Sequence, residues 1–367
     1  MKRTLALTLF ALASALAVPA GRSLTLPTPA FSTYIDAQRA VVESPDSGKI
    51  TLIPRIGTPR IVSTGKGSRF HALHITPQGR VLAAELDFGD CRVRVWDVSA
   101  GRPVSTLAGE WTRALGCDDP IGLLFAPAFS PDGKTLYTAD RTGLRRWDVA
   151  SGRPLGAAPG KLRHVAVSAD RVVALGEDGL TVWTPDLSRR LAASGNLGKL
   201  CLGSPYAGVV VRGPLVAYSC RDEVRVWHSG SDQLTLLPRQ SRGADWNDAP
   251  VFSPGARFLA ADEDTRGVAV WDLRSGKRLA QTSVPAGVQV TDVKFTARRL
   301  VVALSDGRVQ FYDLTAGLRA LPTQQVLTFP GQRTVNVHVT LAVSADGREV
   351  LVSAATPAGQ VRVLPLP

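Results

Sequence analysis

The chain has few of the features that mark an enzyme. It holds no nucleophile elbow, no glycine-rich phosphate loop and no zinc-type spacing of cysteine and histidine. Histidine is scarce, at five residues (His71, His74, His164, His228 and His338). Only His71 and His74 are close in sequence, and they fall on opposite sides of a regular strand with no third ligand at a useful spacing. No cofactor and no metal is therefore expected. After the first twenty residues no stretch is long and apolar enough to span a membrane, so no membrane span is expected. No low-complexity linker and no convincing helical stretch occurs, which excludes a second domain on a tether. No polybasic cluster interleaved with aromatics is present, so no specific nucleic-acid partner is expected.

Cysteine is also rare, with four residues: Cys91, Cys117, Cys201 and Cys220. An even count permits three pairings, or buried free thiols. The first residues bear on this choice. Met1-Lys2-Arg3 is a short basic leader, Thr4 to Leu16 is apolar apart from small hydroxyl residues, and Ala15-Leu16-Ala17 and Val18-Pro19-Ala20 suit a signal peptidase. Residues 1–20 thus read as a cleaved secretory signal, residues 21–367 as the mature domain, and the location as secreted or periplasmic, where disulfides persist.

Charge of one sign dominates. There are 43 Lys and Arg against 31 Asp and Glu, a formal charge of +12. The excess is spread along the chain, and it favours an acidic partner: a protein or an anionic envelope polymer.

What the chain has in abundance is a repeated phrase. Val93-Arg94-Val95-Trp96-Asp97 is followed by Gly101-Arg102, Leu144-Arg145-Arg146-Trp147-Asp148 by Gly152-Arg153, Val268-Ala269-Val270-Trp271-Asp272 by Gly276-Lys277, and Val309-Gln310-Phe311-Tyr312-Asp313 by Gly317. Weaker copies end at Ile53, Trp183, Trp227 and Leu364. A turn phrase precedes each, fullest at Phe129-Ser130-Pro131-Asp132-Gly133. A period of about forty residues means one small sheet built many times. The fold class is all-β, a single β-propeller of four-stranded blades. Counting third strands gives eight blades, with seven the alternative if the first unit is irregular. The last unit stops on its third strand, so Ser23-Leu24-Thr25-Leu26 is expected to supply its missing outer edge and close the ring.

These residues resemble the WD-repeat β-propeller superfamily, in a bacterial extracytoplasmic form, across nearly all of residues 21–367. The Trp-Asp endings and the Phe-Ser-Pro-Asp-Gly phrase carry the resemblance. The Gly-His dipeptide that opens a repeat in that family is absent; Gly243-Ala244-Asp245-Trp246 resembles a degenerate copy. The resemblance implies that the third-strand aromatics pack between blades and that the turn aspartates cap tight turns. Arg94, Arg145, Arg146, Arg225 and Arg362, alternating with apolar residues, read as a solvated outer wall.

In a four-stranded meander the connection between strands two and three shares a face with the connection into the next blade. Cys91, Cys117, Cys201 and Cys220 all fall on that face. Pairing Cys91 with Cys117 and Cys201 with Cys220 closes loops of about 25 and 20 residues, each bridge contributing roughly 3 kcal/mol, whereas a crossed pairing brings distant blades together. The longest connections there hold Trp111, Arg113, Asp118 and Asp119, and Arg242, Asp245 and Trp246. Tryptophan, arginine and acids on long loops over a rigid scaffold suit recognition, and these seven residues are the expected partner-binding site. The expected function is a non-enzymatic binding scaffold, monomeric; an extracytoplasmic lactonase, glycosidase or quinone-type dehydrogenase is the alternative, and a purely structural envelope protein a lesser one.

Overall fold

The computed structural model describes residues 23–25, 32–35, 39–44, 48–54, 58–63, 68–87, 92–108, 126–140, 142–176, 179–194, 208–220, 223–239, 249–263, 267–329, 337–344, 346–354, 356 and 359–367. These residues form strands and turns and no helix. The strands assemble into eight antiparallel sheets, and seven of them are consecutive meanders whose order in space follows the chain. The first sheet spans Ser32–Ile35, Arg39–Ser44, Lys49–Pro54 and Arg60–Ser63. The eighth is built from Val339–Val343, Glu349–Ala354 and Gln360–Pro365, and its outer edge is Ser23–Thr25 from the other end of the chain. Ser23 pairs with Arg362 and Thr25 with Gln360, which is the closure expected from the sequence. The innermost strand of the first sheet, Ser32–Ile35, lies against Val339–Val343, so the sheets meet around a ring.

The reason for this architecture is visible in each second strand. Val81–Leu86, Thr135–Asp140 and Phe258–Asp262 are buried at every position, because a blade is covered on both faces by its neighbours. The third-strand aromatics do the covering. Trp147 packs with Leu82, Ala84 and Val95 of the preceding sheet, Trp227 with Val173 and Val182, and Trp271 with Ala217, Val224 and Val226. Each aromatic closes the seam behind it, as expected from the resemblance.

The aspartate after the aromatic caps the turn that follows. Asp148 Oδ1 accepts the Ser151 N–H at 2.7 Å, and Asp272 Oδ1 accepts the N–H groups of Arg274 and Ser275 at 2.9 and 3.1 Å. Gly101, Gly152 and Gly276 then turn the chain at φ of +69°, +69° and +68°, a region costly for a side chain. In the fifth sheet His228 stands where the second, third, sixth and seventh have Asp, and its Nδ1 accepts the Ser231 N–H at 3.2 Å, so the cap survives the substitution.

The arginines do not form a solvated wall. Arg94 pairs with Asp87 at 2.5 Å, Arg145 with Asp140 at 3.0 Å and Arg225 with Glu223 at 2.7 Å, with the guanidinium side chains at most 31% exposed. Arg362 donates to the Val326 carbonyl at 2.8 Å. The sequence pattern misleads because alternation along one strand does not show the carboxylates of the same blade: Asp87 and Asp140 end the second strands, and Glu223 opens the third strand two residues before Arg225.

Candidate interaction face

The seven residues expected to bind a partner, Trp111, Arg113, Asp118, Asp119, Arg242, Asp245 and Trp246, lie outside the described residues, as do Cys91, Cys117 and Cys201. Cys220 is buried after the second strand of the fifth sheet and is disulfide-bonded, its partner lying beyond the described residues.

The structure instead defines the opposite face in detail, the one formed by the turns between strands one and two and between strands three and four. It is organised by a rule that repeats from blade to blade. A serine or threonine opens the first turn and its hydroxyl holds the turn closed: Ser130 Oγ accepts the Thr135 N–H at 3.0 Å, Ser253 Oγ the Phe258 N–H at 3.0 Å and Ser344 Oγ the Glu349 N–H at 2.9 Å. A cation then follows the turn: Arg80, Lys134, Arg171, Arg257, Arg298 and Arg348. Five of these six are exposed, Arg171 being half-buried. The second set of turns adds Arg102, Arg153, Arg189, Arg190, Arg274, Lys277 and Arg319, all exposed.

The acids of this face accept hydrogen bonds from their own turns. Asp132 accepts the Ser130 hydroxyl and the Lys134 N–H, and Asp170 accepts the Ser168 hydroxyl. Asp186 accepts the Thr184 hydroxyl at 2.5 Å and the Ser188 N–H at 3.1 Å, and these donors hold its carboxyl at a pKa of about 2. The Thr315 hydroxyl and N–H likewise lower Asp313. Arg80 reaches Asp97 at 2.6 Å, Arg257 reaches Asp272 at 3.2 Å and Arg299 reaches Asp313 at 2.9 Å, each joining the two turns of one blade. The carboxylates spend their lone pairs within the turns, while the remaining cations point outward.

Further contacts stitch neighbouring blades together on the same face. His74 Nε2 lies 3.1 Å from the Pro131 carbonyl and its ring stacks on Phe129 at 5.7 Å. Burial holds the His74 imidazole below its usual pKa, although Pro131 and Asp132 act the other way. Arg212 donates to the Pro254 carbonyl at 3.0 Å, and Arg171 to Ser229 at 2.6 Å. The turn face is thus both rigid and basic. Its signal was present in the sequence, as a Lys or Arg after the first turn in six repeats, but it emerges only when the repeats are aligned on their turns.

No protein-family model matches the chain. Among solved structures, the C-terminal WD40 domain of Sif2 superposes with a TM-score of 0.69 at 16% identity, over 95% of this chain and 99% of that one. BamB from Moraxella catarrhalis superposes with a TM-score of 0.61 at 11% identity, over 94% and 97%. Sequence relatives include the nuclear distribution protein nudF of Aspergillus niger, 25% identical over 198 residues, covering 53% of this chain and 37% of that protein. The kinesin-like protein KIF21B of Homo sapiens is 22% identical over 267 residues, covering 66% and 16%. The nuclear distribution protein PAC1 of Yarrowia lipolytica is 30% identical over 128 residues, covering 35% and 26%. The chain spans well under half the length of these relatives. The fold is the WD40 β-propeller. The secreted or periplasmic location expected from residues 1–20 is corrected here: nuclear distribution proteins point away from it. The leader residues themselves lie outside the described residues, and closure of the ring by Ser23–Thr25 carries no information about compartment.

Proposed function

We propose that this WD40 propeller is a non-enzymatic scaffold that binds an acidic protein surface through its basic turn face. The observation that supports the reading most directly is the repeated exposed cation after the first turn, set on a face whose carboxylates are engaged within their own turns. An array in which exposed cations outnumber acids, the acids being hydrogen-bonded within their own turns, favours a complementary negative surface and speeds encounter with it. The fungal nuclear distribution relatives and the WD40 fold support a protein-handling role over a catalytic one. A nucleic acid fits less well: among the described residues the exposed large hydrophobics are Ile and Leu, with no aromatic to stack on a base. The seven residues on the long connections, led by Trp111 and Trp246, remain a second proposed contact region on the other face.

The test is the binding of a fluorescent Glu- and Asp-rich peptide to the full chain, read by anisotropy. Arg257→Glu, Arg274→Glu, Lys277→Glu and Arg298→Glu combined should weaken binding at least tenfold, and raised salt should weaken the wild type. Equal affinity of the two chains would remove the turn face from the reading. Tighter binding of a single-stranded oligonucleotide than of the peptide would replace protein by nucleic acid.

A further inference from the structure

The outer strand of a blade is an open edge, and in this molecule the edges are not alike. An unpaired strand invites another strand, and natural sheets discourage this with charge, proline, bulges or brevity. Four of the outer strands carry the same safeguard. The register slips between Val95 and Trp96, between Arg146 and Trp147, between Val182 and Trp183, and between Val270 and Trp271. In each case one residue of the outer strand is left over opposite the tryptophan: Val104, Leu155, Leu191 and Leu279. The strands concerned also begin with Arg102-Pro103, Pro154, Arg190 and Lys277-Arg278. The outer strand of the first sheet is short and starts with Arg60, and that of the seventh is broken into two pairs of residues.

The fifth sheet departs from all of these. Gln233–Pro238 pairs with Glu223–His228 through six consecutive registers with no slip, from His228 opposite Gln233 to Glu223 opposite Pro238. It carries no charged residue, and its proline stands at its last position. Leu234 and Leu236, two apart and so on one side of the strand, are 46% and 51% exposed, the latter the highest value among the exposed large hydrophobics. Among the described residues this is the one outer strand that is at once regular, uncharged, six residues long and doubly apolar.

We infer that the Gln233–Pro238 edge is a strand-addition site, which takes up an extended, acidic-flanked segment of a partner protein as a fifth strand of that blade. This inference rests on the scaffold reading and adds a second, chemically distinct site to it. Backbone hydrogen bonds along the open edge supply affinity, and apolar residues at alternate positions of the incoming segment lie beside Leu234 and Leu236 on the same side of the sheet. The choice of occupant follows from charge. A second copy of this chain would bring +12 against +12, whereas an acidic-flanked peptide is drawn to the same field.

The test uses the full chain and a dodecapeptide of alternating Val and Thr closed at both ends by Glu. Expected results are a saturable anisotropy change and slowed amide exchange confined to Gln233–Pro238. Leu234→Lys with Leu236→Lys should weaken binding at least tenfold although it adds positive charge, which separates the edge from simple electrostatics. The turn-face variant with four reversed charges should keep the slowed exchange at this strand, so failure of the turn face and failure of the edge are told apart. Unchanged affinity of the double lysine variant, or equal binding of a peptide with Pro at its two central positions, would overturn the proposal. So would concentration-dependent dimerisation that the double lysine variant abolishes, since the occupant would then be a second copy. Should the lysine variant lose cooperative melting, Leu234→Ser with Leu236→Ser answers the same question.

Discussion

Arg278 grips Glu263 with both arms of its guanidinium. Nη1 donates to Oε1 at 2.9 Å and Nη2 to Oε2 at 2.5 Å, while the guanidinium carbon sits 5.7 Å from the centroid of the Trp271 ring. Glu263 is wholly buried and Arg278 is 21% exposed. The pair ties the outer strand of the sixth blade to the connection after its second strand, and the tryptophan between them belongs to the seam with the fifth blade. Removing one partner strands a buried charge. Arg278→Ala should lower unfolding stability by about 3 kcal/mol, and Arg278→Lys, which keeps the charge but loses the fork, should lie between it and the wild type. Urea midpoints of the three chains decide this; an alanine variant as stable as the wild type would show that the pair contributes nothing net.

Two glycines at the same turn position should respond differently to alanine. Gly152 and Gly276 share nearly the same φ, +69° and +68°, so the backbone strain is common to both. A Cβ on Gly152 would meet the Thr106 carbonyl oxygen at 2.2 Å, whereas one on Gly276 meets nothing within 4 Å. Gly276→Ala should cost about 1 kcal/mol from strain alone. Gly152→Ala should cost about 3 kcal/mol, because the third blade must also draw back from the second, where the Ala108 N–H donates to the Gly152 carbonyl at 2.9 Å. Thermal melting of the two variants side by side measures the difference.

Acid should loosen the turn face first. The donors around Asp186 hold its folded pKa at about 2, and those around Asp132, Asp148 and Asp313 lower theirs. A carboxyl whose folded pKa is depressed contributes stability that is complete above its unfolded value, 3.8 for Asp186, and is lost as pH falls through the folded value. Melting temperature should therefore drop from about pH 4 to pH 2, below an earlier and separate decline under pH 6.5, where the unfolded chain protonates His74 and His338 more readily than the folded one. Asp186→Asn should remove part of that drop; a pH profile identical to the wild type would mean that this turn is not coupled to global unfolding.

Ring closure by Ser23–Thr25 gives a fourth expectation. Deleting residues 1–30 opens the edge of Gln360–Pro365 and should cost roughly 2 kcal/mol from lost backbone pairing. Amide exchange in that strand should accelerate more than in Glu223–His228, on the far side of the ring. Uniform acceleration in both would show that the strand stabilises the whole ring rather than its own blade.

The sequence by itself determined the repeat, and the repeat determined the propeller. Each unit must bury both faces of a four-stranded sheet, and only stacking against copies of itself supplies the cover, so Trp147, Trp227 and Trp271 could be placed between blades from the repeat together with its resemblance to WD repeats. The cap after each tryptophan was legible for the same reason, since its geometry is local and involves neighbours within a few residues. Tertiary structure decided what depends on contacts between strands distant in sequence. Arg94 and Arg145 read as solvated because alternation does not reveal the Asp87 and Asp140 carboxylates that meet them. A bulge opposite Trp147 and its absence opposite Trp227 are matters of register, and Pro154-Leu155-Gly156 and Gln233-Leu234-Thr235 do not declare in sequence which of them slips. The basic turn face lies between these cases: its cations are written in most repeats, but their gathering on one side follows from the alternating direction of strands within each blade.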